Sequence, residues 1–177
     1  ALGTLGAMFP GRIWAALGSG EAANEHITGD AWPRKEVRDA RLRECVDVIG
    51  RLLAGEEVSH DGLVTVDRAR LWTVPEPAPH LVGPAVSVRT AESVAAWADG
   101  LVTVNQPHEK LRRMVEAYRG AGGRGPLRLQ VHLSWDPSRE RAEANALDQW
   151  RTNTFSPPAA WDIDSVEVFD LTSEHVP

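Results

Sequence analysis

The sequence predicts an α/β fold built around a parallel sheet, and three observations carry that prediction. Short apolar runs recur at Arg12–Leu17, His80–Val86, Leu101–Val104 and Leu127–Trp135, each followed by a stretch of helical periodicity. The first run is apolar nearly throughout, the pattern of a strand covered on both faces. The runs lead into glycine or small polar residues, and α/β folds gather their sites at the carboxyl ends of strands. Four βα units make half of a (β/α)8 barrel, a fold that usually takes about 250 residues. An open doubly wound sheet is the other arrangement this order allows.

Composition sets the bounds. The 177 residues suffice for one domain with a real core, and 1–177 is expected to be a single domain with 56–79 as an insertion and connector inside it. An apolar fraction of 42% is that of an ordinary soluble globular chain. The net charge of −6 argues against nucleic acid or an anionic membrane as partner. Cys45 is the only cysteine, so no internal disulfide forms, which fits a reducing compartment. No apolar run approaches a membrane span and no basic-then-apolar leader is present, so the cytoplasm is the expected location. No metal site is expected. Seven Trp are many for this length; filling a core is their commoner use, lining a flat-ring pocket the rarer one. The chain starts at Ala1 without Met and stops at Pro177 in mid-pattern, which reads as a piece of a longer protein.

Residues 1–10 are small and apolar and suit the end of a helix, closed by a turn at Pro10-Gly11. After the strand over 12–17, residues 18–33 form a loop or broken helix. A long helix is expected over 34–54, with Leu42, Cys45, Val46, Ile49 and Leu53 as its apolar stripe and Gly55 ending it. Cys45 on that stripe is read as a core thiol. Residues 56–73 suit a hairpin, and Thr73–Pro79 is a stiff proline-rich connector. The strand over 80–86 leads to a helix over 91–98 with Thr90 as its cap. Asp99-Gly100 turns into the next strand, and Pro107 suits the first position of a helix over 107–118. Residues 120–125 read as a flexible glycine loop. Over 127–135, Leu127, Leu129, Val131, Leu133 and Trp135 share one face and Arg128, Gln130, His132 and Ser134 the other. In a parallel barrel the greasy face meets the helices, so the second set points inward and brings His132 and Ser134 towards a site. His132 suits a hydrogen-bonded interior group equally well. A helix to about Arg151 starts at Asp136 or Ser138; Pro157-Pro158 breaks the tail, and a last helix starts near Ser165.

The stretch with most chemistry is Trp14–Glu25. It opens apolar, breaks at Gly18-Ser19-Gly20, and then presents Glu21 and Asn24. Gly18–Ala23 also fits the dinucleotide pattern G-x-G-x-x-G/A, but that pattern must open a helix at once, and here Gly29 and Pro33 follow. A NAD-binding Rossmann module is therefore the weaker reading. The bland reading is a plain strand–loop–helix turn with a solvated Glu21. The second stretch is Ser87-Val88-Arg89-Thr90, where helix N–H groups beside Arg89 suit a phosphate; an ordinary capped helix with an exposed Arg is the bland alternative.

Phe9–Glu25 resembles the fourth-strand region of the bacterial luciferase-like superfamily, in the branch around F420-dependent sugar-phosphate dehydrogenases. Trp97-Ala98-Asp99-Gly100-Leu101-Val102-Thr103 is similar to that branch's approach to strand six, and Gln130–Ser134 and Asp148–Asn153 match it as well. The resemblance covers almost the whole chain. It implies a TIM-type (β/α)8 barrel, present here from about strand 4 to strand 7. It implies F420 or FMN as cofactor, hydride transfer at the ring, a small-molecule substrate and a homodimer. By the same resemblance Glu21 is the active-site acid/base, Asn24, Ser19 and Gly20 contact the cofactor, and Ser87, Val88, Arg89 and Thr90 hold its phosphate. His132 and Ser134, on the face that the alternation over 127–135 turns inward, are expected to line the substrate pocket.

Departures from the branch are informative. Relatives often carry Gly-Pro or Ser-Pro at Ser87-Val88, so this loop is expected to be altered. Val104 and Pro107 stand where the sugar-phosphate dehydrogenase uses Thr and Lys, so glucose 6-phosphate is not the expected substrate. The alternative to an enzyme is a non-catalytic fragment of one, since an open half barrel exposes apolar edges.

Overall fold

A computed structural model of the chain describes residues 1–151, 155 and 159–175. It divides into two units, Ala1–Gly18 with Asp39–Val131, and Ser19–Arg38 with His132–Pro177.

The first unit holds a four-stranded sheet in the order β1 (Trp14–Ala16), β4 (His80–Pro84), β5 (Gly100–Val104) and β6 (Leu127–Gln130), every neighbouring pair parallel. Ala15 pairs with Leu81, Gly83 with Leu101 and Thr103 with Leu129. Strands follow chain order, as the repeated βα units predict. Between them lie α3 (Lys35–Leu53), whose body from Asp39 onward belongs to this unit, α4 (Val88–Val94) and α5 (His108–Gly120). Helix α1 (Leu2–Met8) precedes β1, and residues 58–69 form the expected hairpin, β2 (Val58–Asp61) with β3 (Thr65–Ala69).

Two apolar clusters hold this unit. Val46, Leu53 and Leu81 are buried together, with Leu42 and Ile49 of the predicted α3 stripe packed against them. Cys45 of that stripe is half-buried. Ala85, Ala91, Val94, Leu101, Met114 and Tyr118 form the second cluster. Each fully buried large side chain there contributes about 1.5–3 kcal/mol. Gly83 is required at this seam, because a Cβ on it would collide with Val94. Asp99 joins two strands: its carboxylate accepts from the Leu81 amide at 2.8 Å and its own amide donates to the Leu81 carbonyl at 2.8 Å.

Several expectations need correction. The strand over 12–17 is only Trp14–Ala16, and Trp14 is exposed, because β1 has a strand on one side only. The strand over 127–135 stops at Gln130, and residues 131–136 carry no regular structure. A strand persists only while its neighbour has backbone to pair, and β5 ends at Val104 opposite Gln130. The helix expected over 91–98 starts at Val88 and ends at Val94, and its cap is Ser87, whose Oγ accepts from the Thr90 amide at 3.2 Å. Pro107 sits at the cap position of α5 rather than inside it. The glycine loop after α5 is a packed turn: Arg119 Nη1 donates to the carbonyls of Gly123 and Gly125 at 2.9 Å each.

The second unit contains α2 (Ala22–Glu25), a single 3-10 turn (His26–Thr28), the first turn of α3, α6 (Arg139–Trp150), α7 (Ala159–Asp162) and α8 (Val166–Ser173). Ser138 caps α6, as expected, and Ser165 caps α8 by accepting from Val168 at 3.2 Å. Thr152, Asn153 and the Pro157-Pro158 break lie outside the described residues. Among the described residues no helix is long and apolar enough to cross a membrane, and no His, Cys, Asp and Glu groups cluster to hold a metal ion.

Candidate active site

The Gly18-Ser19-Gly20 break leads from β1 into the segment that carries Glu21. Gly20 adopts φ 85, a conformation glycine tolerates and L side chains resist, and a Cβ there would collide with the Glu25 carboxylate. Glu21 occupies the cap position of α2 in extended conformation, and its carbonyl accepts from the Asn24 and Glu25 amides at 3.1 Å each. Its carboxylate is exposed and accepts from the Asn24 side-chain amide at 3.2 Å. One carboxylate oxygen is thereby oriented on an exposed side chain, which suits proton transfer. Ser19 Oγ accepts from Lys35 Nζ at 3.3 Å. Lys35 was not singled out from the sequence; the only signal is a cation in the first turn of a helix, where the macrodipole disfavours it.

The loop 29–34 that follows is closed by Arg38, which is 4% exposed. Its Nη1 donates to the Pro33 carbonyl at 3.2 Å and to Asp162 at 3.3 Å, and its guanidinium lies 4.1 Å from the Trp32 ring centroid. Trp32 Nε1 donates to Asp162 at 2.9 Å. The indole N–H, and then Arg38, hold the Asp162 carboxyl below the usual aspartate range. The dinucleotide pattern at Gly18–Ala23 has no long helix behind it, since α2 spans four residues before the 3-10 turn.

His132 and Ser134 also lie in this unit, past the end of β6 rather than on it. The His132 ring stacks on Trp150 with centroids 4.8 Å apart, and the Ser134 hydroxyl donates to the Ala142 carbonyl at 2.7 Å.

Ser87, Val88, Arg89 and Thr90 lie in the first unit, after β4. The Ser87 and Thr90 hydroxyls are 2.9 Å apart. Val88 and Arg89 open α4, where backbone N–H groups have no helical acceptor. Val88 keeps an N–H at a position where proline would have none. Arg89 is exposed and has no ion pair among the described residues. The structure thus groups Glu21 with Ser19, Gly20 and Asn24, and separately Ser87 with Val88, Arg89 and Thr90.

Residues 1–168 match the luciferase-like monooxygenase family. An F420-dependent glucose-6-phosphate dehydrogenase of Nakamurella multipartita is 34% identical across 80% of this chain and 45% of that protein. A protein of the same name from Kribbella flavida is 31% identical across 100% of this chain and 56% of its own length. Among solved structures, an F420-dependent secondary alcohol dehydrogenase in complex with an F420–acetone adduct superposes with a TM-score of 0.85 at 26% identity, over 99% of this chain and 56% of that one. The chain spans about half the length of the curated relatives it matches. It belongs to the luciferase-like monooxygenase family, and its four-stranded parallel sheet is that of a partial (β/α)8 barrel.

Proposed function

We propose that this chain is part of an F420-dependent oxidoreductase acting on a small molecule, with Glu21 as its acid/base. The observation that carries the proposal is the polar cluster at Ser19, Glu21 and Asn24 in a chain whose relatives and structural neighbour are F420-dependent dehydrogenases by name. Each cluster by itself offers donors of the kind such a group needs: hydroxyl and amide donors at Ser19 and Asn24 suit a polar ring edge, and Ser87, the Val88 and Arg89 amides, the Arg89 guanidinium and Thr90 suit a phosphate. When bound, F420 supplies a ring position that takes or gives hydride.

The remaining work falls to the chain's own residues. Glu21 takes or returns the proton that accompanies hydride movement, at the carboxylate oxygen that Asn24 leaves open. Asn24 orients that carboxylate and contacts the cofactor. Gly20 lets the backbone turn so that Ser19 and Glu21 flank it closely. His132 and Ser134 contact the substrate, His132 with its ring edge and Ser134 with its oxygen, since its proton is committed to Ala142. Val104 is half-buried at the end of β5 and Pro107 caps α5; neither side chain carries a phosphate-binding group, which supports a substrate other than glucose 6-phosphate. The same proposal holds the assembled enzyme to be a cytoplasmic homodimer of one barrel domain per subunit.

Titration of the chain with F420, and separately with FMN, tests it. Saturable quenching of F420 fluorescence with no response to FMN supports the proposal. FMN binding alone would move the chain to a flavin enzyme, and binding of neither would overturn the cofactor assignment.

A further inference from the structure

Lys35 is the first residue of α3, next to backbone N–H groups that already give that helix end a partial positive charge. An ammonium is poorly placed there for helix stability. It nevertheless reaches back sixteen positions to Ser19, with Nζ 3.3 Å from Oγ. An ammonium donates hydrogen bonds and accepts none. The bond therefore runs from Lys35 to Ser19 and occupies a lone pair of the hydroxyl. A serine hydroxyl has one hydrogen to give. With a cation on its oxygen, that hydrogen points elsewhere and is a stronger donor, as expected when one hydrogen bond polarises the next. Ser19 is half-buried and flanked by Gly18 and Gly20, so it is the one side chain at the break itself. Gly20 cannot be replaced there by a residue with a Cβ without displacing Glu25.

We infer that Lys35 is a positioning residue that makes Ser19 a hydrogen-bond donor to a carbonyl oxygen of the cofactor ring. The inference rests on the cofactor reading above and goes beyond it by assigning Lys35 a part and Ser19 a direction. The ligand atom is a ring carbonyl, whose oxygen gains negative charge when the ring is reduced and so rewards a polarised donor.

The test uses the 177-residue chain with two probes, F420 and its phosphate-free deazaflavin fragment, each followed by fluorescence. Lys35→Met is expected to weaken both about tenfold, in line with the loss of one charge-assisted hydrogen bond. Lys35→Arg restores both to within about threefold, because a guanidinium can make the same bond. Ser19→Ala weakens both about as much as Lys35→Met, and the double variant is no weaker than either single one, the signature of two residues acting through one contact. Thermal melts of all variants establish that they are folded, with Lys35→Leu as the substitute if Lys35→Met melts early. Wild-type affinity in Lys35→Met overturns the inference. So does additivity in the double variant, and so does a loss confined to F420, which would place Lys35 on the phosphate side. If the wild-type chain responds to neither probe, the cofactor reading itself fails and this inference falls with it.

Discussion

The guanidinium carbon of Arg38 lies over Trp32, 4.1 Å from the ring centroid, and both residues bond to Asp162. Arg38 Nε is buried and has no hydrogen-bond partner among the described residues, so the side chain is held by its Nη1 contacts and by the ring. Arg38→Ala removes a cation–π contact of about 0.5–2 kcal/mol and leaves Asp162 with the indole alone. The expected loss is about 2–3 kcal/mol of stability, below that of a fully buried ion pair because Asp162 is 49% exposed and water can reach it. Arg38→Lys should cost about half as much, since an ammonium cannot stack as a plane. Urea titration followed by tryptophan fluorescence reads both, and an unchanged midpoint for Arg38→Ala would disprove the role.

Three carboxylates are held below their ordinary range, Glu109 by Arg112 on the surface of α5 and two others in contacts that bridge elements. Asp162 is held below its ordinary range by Trp32 first and Arg38 second. Glu44 is held down chiefly by His60, 2.8 Å away, and then by the amides of Val64 and Leu63. A carboxyl lowered in the folded state stabilises it above the ordinary carboxylate range, and that contribution disappears as pH falls through the folded value. The melting midpoint should therefore be level near neutral pH and fall below about pH 4. Asp162→Asn and Glu44→Gln should each lower the neutral midpoint and flatten the acid limb. Thermal melts across pH decide it; a variant with the wild-type acid limb excludes its carboxylate from this account.

Tyr118 is fully buried, and its hydroxyl has no hydrogen-bond partner among the described residues. An unpaired buried hydroxyl costs free energy that its removal returns. Tyr118→Phe is expected to raise stability by about 1 kcal/mol while keeping the ring under Arg119. Gly123→Ala goes the other way, because its Cβ would enter the space of the Tyr118 ring; overpacking of this kind costs about 1–3 kcal/mol. The two variants should move the denaturation midpoint in opposite directions.

Ser87 and Thr90 test which residue caps α4. Ser87 Oγ accepts from the Thr90 amide, so Ser87→Ala should cost about 1 kcal/mol. Thr90→Ala removes only the contact between the two hydroxyls and should cost less than half of that. Equal losses would show that the hydroxyl pair, and not the cap, carries the stability.

What the sequence made legible here was local. The stripe Leu42, Val46, Ile49 and Leu53, the cap at Ser138 and the start of the last helix near Ser165 depend on neighbours three or four positions away, and local pattern reports those directly. The end of β6 depends on where β5 stops, which no pattern within 127–135 records. Trp14 looked buried by composition and is exposed because β1 lies at the sheet edge. The site divides the same way. Gly20, Glu21 and Asn24 are read from one short stretch, whereas Lys35 on Ser19 spans sixteen positions and Asp162 on Trp32 spans 130, distances that only the folded chain closes.

Glu21→Gln separates proton transfer from cofactor binding. Glutamine keeps the shape of the side chain and can still accept from the Asn24 amide, but it has no carboxylate to take a proton. Affinity for F420 should stay within about twofold, while turnover, measured as F420 reduction by a small alcohol in a protein completed to the length of its relatives, should drop at least 100-fold, about the lower end of what a positioned acid/base contributes. Asn24→Ala should show the converse balance, with affinity weakened about tenfold by a lost contact and turnover lowered further because the carboxylate is no longer oriented. Glu21→Gln with wild-type turnover would assign the proton to another group, and His132, stacked on Trp150 in the same unit, would be the next residue to replace.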